Sequence, residues 1–129
     1  MNPYNFSLLC FGFCSFLLGI FIWLRRQDKI GTLYLSLSFF YTGWSTIIAI
    51  SLSDNISYDF ALLTGRVANG FAAFIPVIWF HFCLVFTQRE KRYKKLLFIL
   101  YLNPIFIDLF IFTKWFIPFM QPMVGFQFY

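Results

Sequence analysis

The sequence predicts an all-α integral membrane protein, a helical bundle of four transmembrane helices with its N-terminus outside. Composition indicates lipid as the surrounding medium, because 60% of the 129 residues are hydrophobic and only 12% are charged. Soluble domains carry about 25% charged residues. A chain this short leaves much of its surface exposed after folding and here lacks the polar residues to face water. These features exclude a soluble domain, a disordered chain and a nucleic-acid-binding protein, despite the net charge of +5.

Four long apolar stretches supply the predicted spans. A helix crosses the hydrocarbon core with about 20 apolar residues, and in lipid its backbone groups find their partners within the same segment. None of the stretches has the alternating polarity of a barrel strand. The predicted spans are residues 4–24, 30–52, 60–87 and 96–115, in a single domain over residues 1–129 that we expect to be part of a longer protein.

Basic residues set the predicted orientation. Eight of the ten Lys and Arg residues lie in two short loops, at residues 25–29 and 88–95. The positive-inside rule puts both loops in the cytoplasm. The N-terminus, the turn at residues 53–59 and the tail after the fourth span are then outside.

Two charged side chains lie well inside the predicted spans, Arg66 and Asp108. A charge at a helix centre costs about 2.5–3.5 kcal/mol on insertion scales and needs a partner or water. Counting the helical rise from the outer span ends places Arg66 about 9 Å and Asp108 about 10 Å deep. The matching depths predict an Arg66–Asp108 ion pair between neighbouring antiparallel helices, with Asn69 one turn below Arg66 in the same intramembrane polar cluster. Three roles stay open: a structural clasp, a ligand or ion pocket open to the outer face, or snorkelling of Arg66 alone.

His81, the single histidine, is a weaker candidate. One imidazole does not make a metal site, and bis-histidine haem would need a second histidine from another chain. We therefore expect His81 to pack, and we expect no metal and no cofactor. The sequence also lacks a glycine-rich phosphate loop and a nucleophile–histidine–acid set, so we expect no catalytic residues and no enzyme activity.

Small residues mark the predicted contacts between helices, because close backbone approach favours association in lipid. On the second span they are Ser38, Thr42, Ser45 and Ala49, and on the third Ala61, Gly65, Asn69 and Ala73.

Several short sequence motifs occur in the second to fourth spans and at the end of the third. They are YTGWST at residues 41–46, LTGR at 63–66, FIPVIWFHF at 74–82, FTQR at 86–89 and LNP at 102–104. Over about residues 30–115 this pattern resembles the N-terminal seven-transmembrane region of bacterial sensor histidine kinases, which also precedes diguanylate cyclase domains. The resemblance covers about the first four helices of that region.

The resemblance implies a multi-pass sensor and signal-transduction segment in the bacterial cytoplasmic (plasma) membrane, without a catalytic domain of its own. Its expected partners are the lipid bilayer, a downstream or separate kinase or cyclase domain and a second copy in a homodimer, with no nucleic acid. The alternative is a small oligomeric four-helix transport or accessory membrane subunit. A haem- or quinone-binding subunit would depend on His81 alone.

Overall fold

Four helices make up the part of the chain that the computed structural model describes, residues 3–52 and 57–111 without the side chain of residue 58. They are α1 (Pro3–Arg25), α2 (Lys29–Ser51), α3 (Tyr58–Phe86) and α4 (Lys94–Ile111), and these residues contain no strand. Apart from the end of α4, the described helix ends lie within two residues of the predicted span ends. The end of the fourth predicted span, most of the turn before α3 and the tail lie outside the described residues.

Three of the helices are long and apolar enough to cross a membrane, over Pro3–Arg25, Lys29–Ser51 and Asp59–Phe86. The 18 described residues of α4 reach about 27 Å at the helical rise. They include Lys94, Lys95 and Asp108, and these charges keep α4 out of that group. The surface of all four helices is rich in exposed large apolar side chains, among them Phe6, Phe13, Phe86, Phe98 and Leu109. Such a surface fits hydrocarbon rather than water.

The helices pack in chain order, with α1 against α2, α2 against α3 and α3 against α4. Within the described ranges no other two helices are in contact. The described part of the predicted bundle is therefore an open row, with α1 and α4 at its edges. Lipid permits this arrangement because an apolar helix face in hydrocarbon gains little from being covered by another helix.

Small residues form the contact between α1 and α2. Gly12 and Gly19 are buried on α1, and Ser38 and Ser45 are buried opposite them on α2. Thr42 Oγ1 also donates a hydrogen bond to the Gly12 carbonyl oxygen at 2.9 Å, from one helix to the next. These contacts confirm the predicted small-residue face of α2.

The predicted contact face of α3 is wrong in its second half. Ala61, Gly65 and Ala68 are buried, whereas Asn69 is exposed and Ala73 is half-buried. A step of four residues turns 400° around an α-helix, so a face counted only in fours drifts about 40° at each step. Alternating steps of four and three stay on one face, and the buried residues follow that pattern.

The turn from α1 to α2 is held by Asp28. Its carboxylate caps α2 by accepting the Gly31 N–H at 2.9 Å, and it also pairs with Arg26 Nε at 2.6 Å. The Gly31 hydrogen bond, followed by the one from Arg26, lowers the pKa of Asp28 below its usual value. The turn is so tight that a Cβ on Gly31 would overlap the Arg26 carbonyl oxygen.

The turn from α3 to α4 starts with a Schellman motif. Gln88 adopts a left-handed conformation with φ of 57°. Its N–H bonds to the Val85 carbonyl oxygen, and the Arg89 N–H bonds to that of Leu84. The reversal carries Glu90 back towards the end of α3. Because Glu90 there accepts a hydrogen bond from Lys29, the two basic turns lie at the same end of the helix row.

Replacing Gly31 by Ala should destabilise the fold by about 1–3 kcal/mol, because the new methyl group meets a backbone oxygen that no side-chain rotation can move. Gly12→Ala is the matched control, since its methyl group meets Ser45 Oγ, which can rotate away. The loss of stability in each variant is measured by unfolding with sodium dodecyl sulfate in mixed micelles. Equal losses in the two variants would contradict this account of the turn.

Candidate functional site

Asp108 lies on α4 directly opposite Gly70 of α3. A Cβ on Gly70 would be 2.8 Å from Asp108 Oδ1. This oxygen is buried and accepts no hydrogen bond from the described residues. A buried polar atom without a partner is costly in a low-dielectric medium, so its persistence in a structure needs an explanation.

Asp108 lines a cavity of about 210 Å³ between α2, α3 and α4. Aromatic rings dominate the walls. Phe40 of α2 stacks on Phe74 of α3 with ring centroids 5.0 Å apart, and Phe71 lies 5.6 Å from Phe40. The other lining residues are Val67, Gly70 and Ile111. The cavity thus has one acidic group on an otherwise apolar and aromatic surface.

The predicted ion pair between Arg66 and Asp108 is not among the ion pairs of the described residues. Asp108 is level with Gly70, which is four residues and about 6 Å along the helix from Arg66. Arg66 is half-buried and interacts with another group of the chain.

Asn69 does not join Asp108 either. It lies on the exposed side of α3, and its side-chain amide donates a hydrogen bond to the Gly65 carbonyl oxygen of its own helix at 2.9 Å. The three residues of the predicted cluster therefore occupy different surroundings, and Asp108 is the one that lines the cavity.

His81 belongs to a polar network at the end of the row where the basic turns lie. Its Nδ1 is 2.9 Å from the Tyr101 hydroxyl of α4, and the two rings meet edge to face. Its Nε2 is 3.5 Å from Glu90 Oε1 in the α3–α4 turn. The same Glu90 oxygen accepts a hydrogen bond from Lys29 Nζ at the start of α2. This four-residue network joins α2, α3, α4 and the turn.

Tyr101 is the hydrogen-bond partner of His81 in the described residues, because Nε2 lies 3.5 Å from Glu90 Oε1 and makes no hydrogen bond there. With its hydrogen on Nε2, the neutral ring accepts at Nδ1, and the Tyr101 hydroxyl donates to it. The hydrogen bond from Lys29 is the main reason that the pKa of Glu90 lies below its ordinary value.

Sequence reasoning identified His81 but missed the other three residues of the network, and it also missed a further polar contact, made by Asn5. Lys29 and Glu90 are 61 positions apart, and no spacing rule pairs residues at that distance. The available signal was topological, since the positive-inside rule puts both basic loops on one side. Asn5 is buried at the opposite end of the row, where its amide donates to the Leu52 carbonyl oxygen at 3.3 Å.

Metal-binding side chains are not clustered in the described ranges, where no group of three His, Cys, Asp or Glu could hold an ion. Cys10 and Cys14 are exposed and Cys83 is half-buried, all as free thiols.

Comparison with known families agrees with the apolar helices. The family model described as the N-terminal 7TM region of histidine kinase matches residues 7–127. The chain belongs to this family. The family is the membrane sensory region of histidine kinases and not their catalytic domain, and together with the three long apolar helices it indicates a multi-pass membrane protein. No curated protein and no solved structure matches the chain.

Replacing Tyr101 by Phe should lower stability by about 1–3 kcal/mol, because it removes the donor to His81 Nδ1 and leaves that half-buried nitrogen unsatisfied. Tyr34→Phe is the control, since the Tyr34 ring packs edge to face on Phe82 while its hydroxyl makes no hydrogen bond to the described residues. The control should stay within about 0.5 kcal/mol of the parent protein in detergent unfolding. A control that loses as much as Tyr101→Phe would argue against the hydrogen bond.

The Lys29–Glu90 contact should give a pH-dependent stability. The folded pKa of Glu90 lies below its ordinary 4.5, so its stabilising contribution is complete above about pH 4.5 and is lost as the pH falls through the folded value. The stability gap between the parent and Lys29→Gln should be widest at pH 5–7 and should narrow towards pH 3. Lys95→Gln, which removes an exposed charge from the first turn of α4, should show no such gap. A Lys29→Gln gap that stays constant down to pH 3 would contradict the contact.

Proposed function

We propose that this chain is the sensory input segment of a bacterial histidine kinase, in the cytoplasmic membrane with both basic turns facing the cytoplasm. It detects its stimulus at the Asp108 cavity and passes the signal on by helix displacement. The output domain, a kinase or a cyclase, follows the segment or docks as a separate chain, and the segment itself performs no catalysis. The observation that carries the proposal is the buried Asp108 Oδ1, which has no hydrogen-bond partner within residues 3–52 and 57–111, in a cavity shared by three helices of a sensory family.

The position of the cavity favours this role. Its walls come from α2, α3 and α4, so a change of charge or volume inside it acts on the spacing of all three helices. Interfaces between packed helices respond to such changes by shifts of about 1–2 Å. The cavity is thus suited to convert occupancy into movement.

The polar network around His81 gives that movement a route to the basic turns. Phe74 of the cavity and His81 of the network are seven residues apart on α3, two turns along the same side and about 10 Å distant. Displacement of α3 therefore changes the distances from His81 to Tyr101 on α4 and to Glu90 in the turn. Through Lys29 the same displacement reaches the start of α2.

A small oligomeric transport or accessory subunit is the second candidate. Among the described helices, none packs on the outer faces of α1 and α4, and this favours contacts with further helices, including those of a second copy. Asp108 would then be the intramembrane acid on the transport path. Such a subunit moves a solute across the membrane, whereas a sensor segment does not, and this difference separates the two functions.

Spin labels test the displacement. With Cys10, Cys14 and Cys83 replaced by Ser, labels at Gln27→Cys and Lys94→Cys report the distance between the two basic turns in lipid nanodiscs. Asp108→Asn should shift this distance by about 2 Å or add a second population, because it removes the cavity charge.

Asp59→Asn is the matched control, as it neutralises an exposed carboxylate in the first turn of α3. The control should leave the distance unchanged. Identical distributions in all three proteins would refute the sensor proposal, and Asp108-dependent solute uptake into proteoliposomes would favour the transport subunit instead.

A further inference from the structure

In the aromatic cavity, Asp108 Oδ1 has no hydrogen-bond partner among the residues that the structure describes. In the described residues the carboxyl group of Asp108 has no ion pair, and the atoms around Oδ1 are carbon-rich side chains and the backbone at Gly70. In apolar surroundings a carboxyl group either takes up a proton or is held ionised by a cation or by several hydrogen bonds. A ligand that carries a positive charge would hold Asp108 in its ionised form.

The chemistry of the walls narrows the kind of cation. A metal ion of the calcium or magnesium type takes six or more oxygen ligands or keeps its waters, and this cavity offers one carboxylate on apolar walls. An organic ammonium ion carries its own apolar groups and needs no such ligand shell. Aromatic rings attract ammonium groups through the negative face of the ring, and Phe40, Phe71 and Phe74 all line the cavity.

Size limits the ligand further. Sites for drug-sized molecules measure about 300–1,000 Å³, whereas this cavity measures about 210 Å³. It has room for one nitrogen with a few carbon atoms around it. We propose that the Asp108 cavity binds a small organic ammonium group, with Asp108 as counter-ion and the three phenylalanine rings around its alkyl substituents. The inference rests on the proposed function only in treating this cavity as the input site.

Two sources could present an ammonium group at this position, a free amine or a lipid headgroup. Both satisfy the carboxylate in the same way, so the chemistry is shared and the source is a matter for experiment. Choline serves as the probe for the free ligand, and 3,3-dimethyl-1-butanol is its uncharged carbon isostere. Phosphatidylcholine presents the same trimethylammonium group on a lipid.

The experiment is calorimetric titration of choline into the full chain in nanodiscs of phosphatidylglycerol alone. Choline should bind saturably, and the isostere should bind at least tenfold more weakly. Asp108→Asn should weaken choline binding tenfold or more, whereas Asp59→Asn should leave it unchanged. The proposal would be overturned if choline did not bind, or if choline and the isostere bound equally. It would also be overturned if Asp108→Asn bound choline as tightly as the parent protein does.

Two further variants keep the test valid if Asp108→Asn fails to fold. Gly70→Ala retains the carboxylate but fills space beside Oδ1, and Phe74→Leu removes an aromatic wall without changing the charge. Each should weaken choline binding several-fold, and unchanged affinity in both would also overturn the proposal.

Replacing half of the phosphatidylglycerol by phosphatidylcholine identifies the source. Competition with added choline supports a headgroup as the natural ligand, and unchanged choline affinity supports a free amine. The spin-label distances separate this inference from the sensor proposal. If choline binds but Asp108→Asn does not change the spin-label distance, the binding site is retained and the sensor proposal is rejected. If the distance changes but choline does not bind, the sensor proposal is retained and the ammonium site is rejected.

Discussion

In hydrocarbon a helix gains little by burying apolar side chains, so the polar groups that cannot reach water constrain how these helices meet. Most of the serine and threonine hydroxyl groups of α2 and α3 donate a hydrogen bond to a carbonyl oxygen three or four residues earlier in the chain. Ser36 does so in α2, and Thr87 does so at the end of α3. Three of these hydroxyl groups, those of Thr42, Ser51 and Thr64, also contact a neighbouring helix. Thr42 reaches the backbone at Gly12, and the Ser51 and Thr64 oxygens meet at 2.7 Å between α2 and α3. The polar contacts, more than the apolar ones, thereby define the register of each pair.

This constraint acts most strongly at the two ends of the row. At one end, the Asn5 amide of α1 donates to one carbonyl oxygen, that of Leu52, which caps the end of α2. At the other end Lys29, Glu90 and His81 connect three segments of the chain. Between the ends, small side chains and the Thr42–Gly12 hydrogen bond join α1 to α2, whereas the aromatic rings of Phe40, Phe71 and Phe74 lie between α2 and α3. The cavity beside Asp108 lies in this central part of the row.

The sequence predicted those parts of the structure that depend on composition and on one helix at a time. Hydropathy located the helices because the length of a span is set by the bilayer and not by neighbouring helices. The Ser38 and Ser45 face of α2 was also predictable, since small residues at helical spacing need no knowledge of the partner. The registers between helices were not, because an offset of one turn, about 5 Å, alters no hydropathy value. The Arg66–Asp108 pair was predicted from depth alone, and it is not among the ion pairs of the described residues.

Arg66 and Asp108 show why depth alone does not identify a functional charge in a membrane. Arginine has a long flexible side chain that can carry its charge away from its own backbone position, towards the interface or another polar group. Aspartate has one methylene group, so its carboxylate stays where the backbone of α4 holds it. At Asp108 that position is beside Gly70, the one residue type whose lack of a side chain leaves room for the oxygen there. A short acidic side chain that faces a glycine across a helix contact has few groups within reach for a hydrogen bond or an ion pair. Its energy therefore depends on what else enters the space, and this dependence is the property that a binding site for a signal requires.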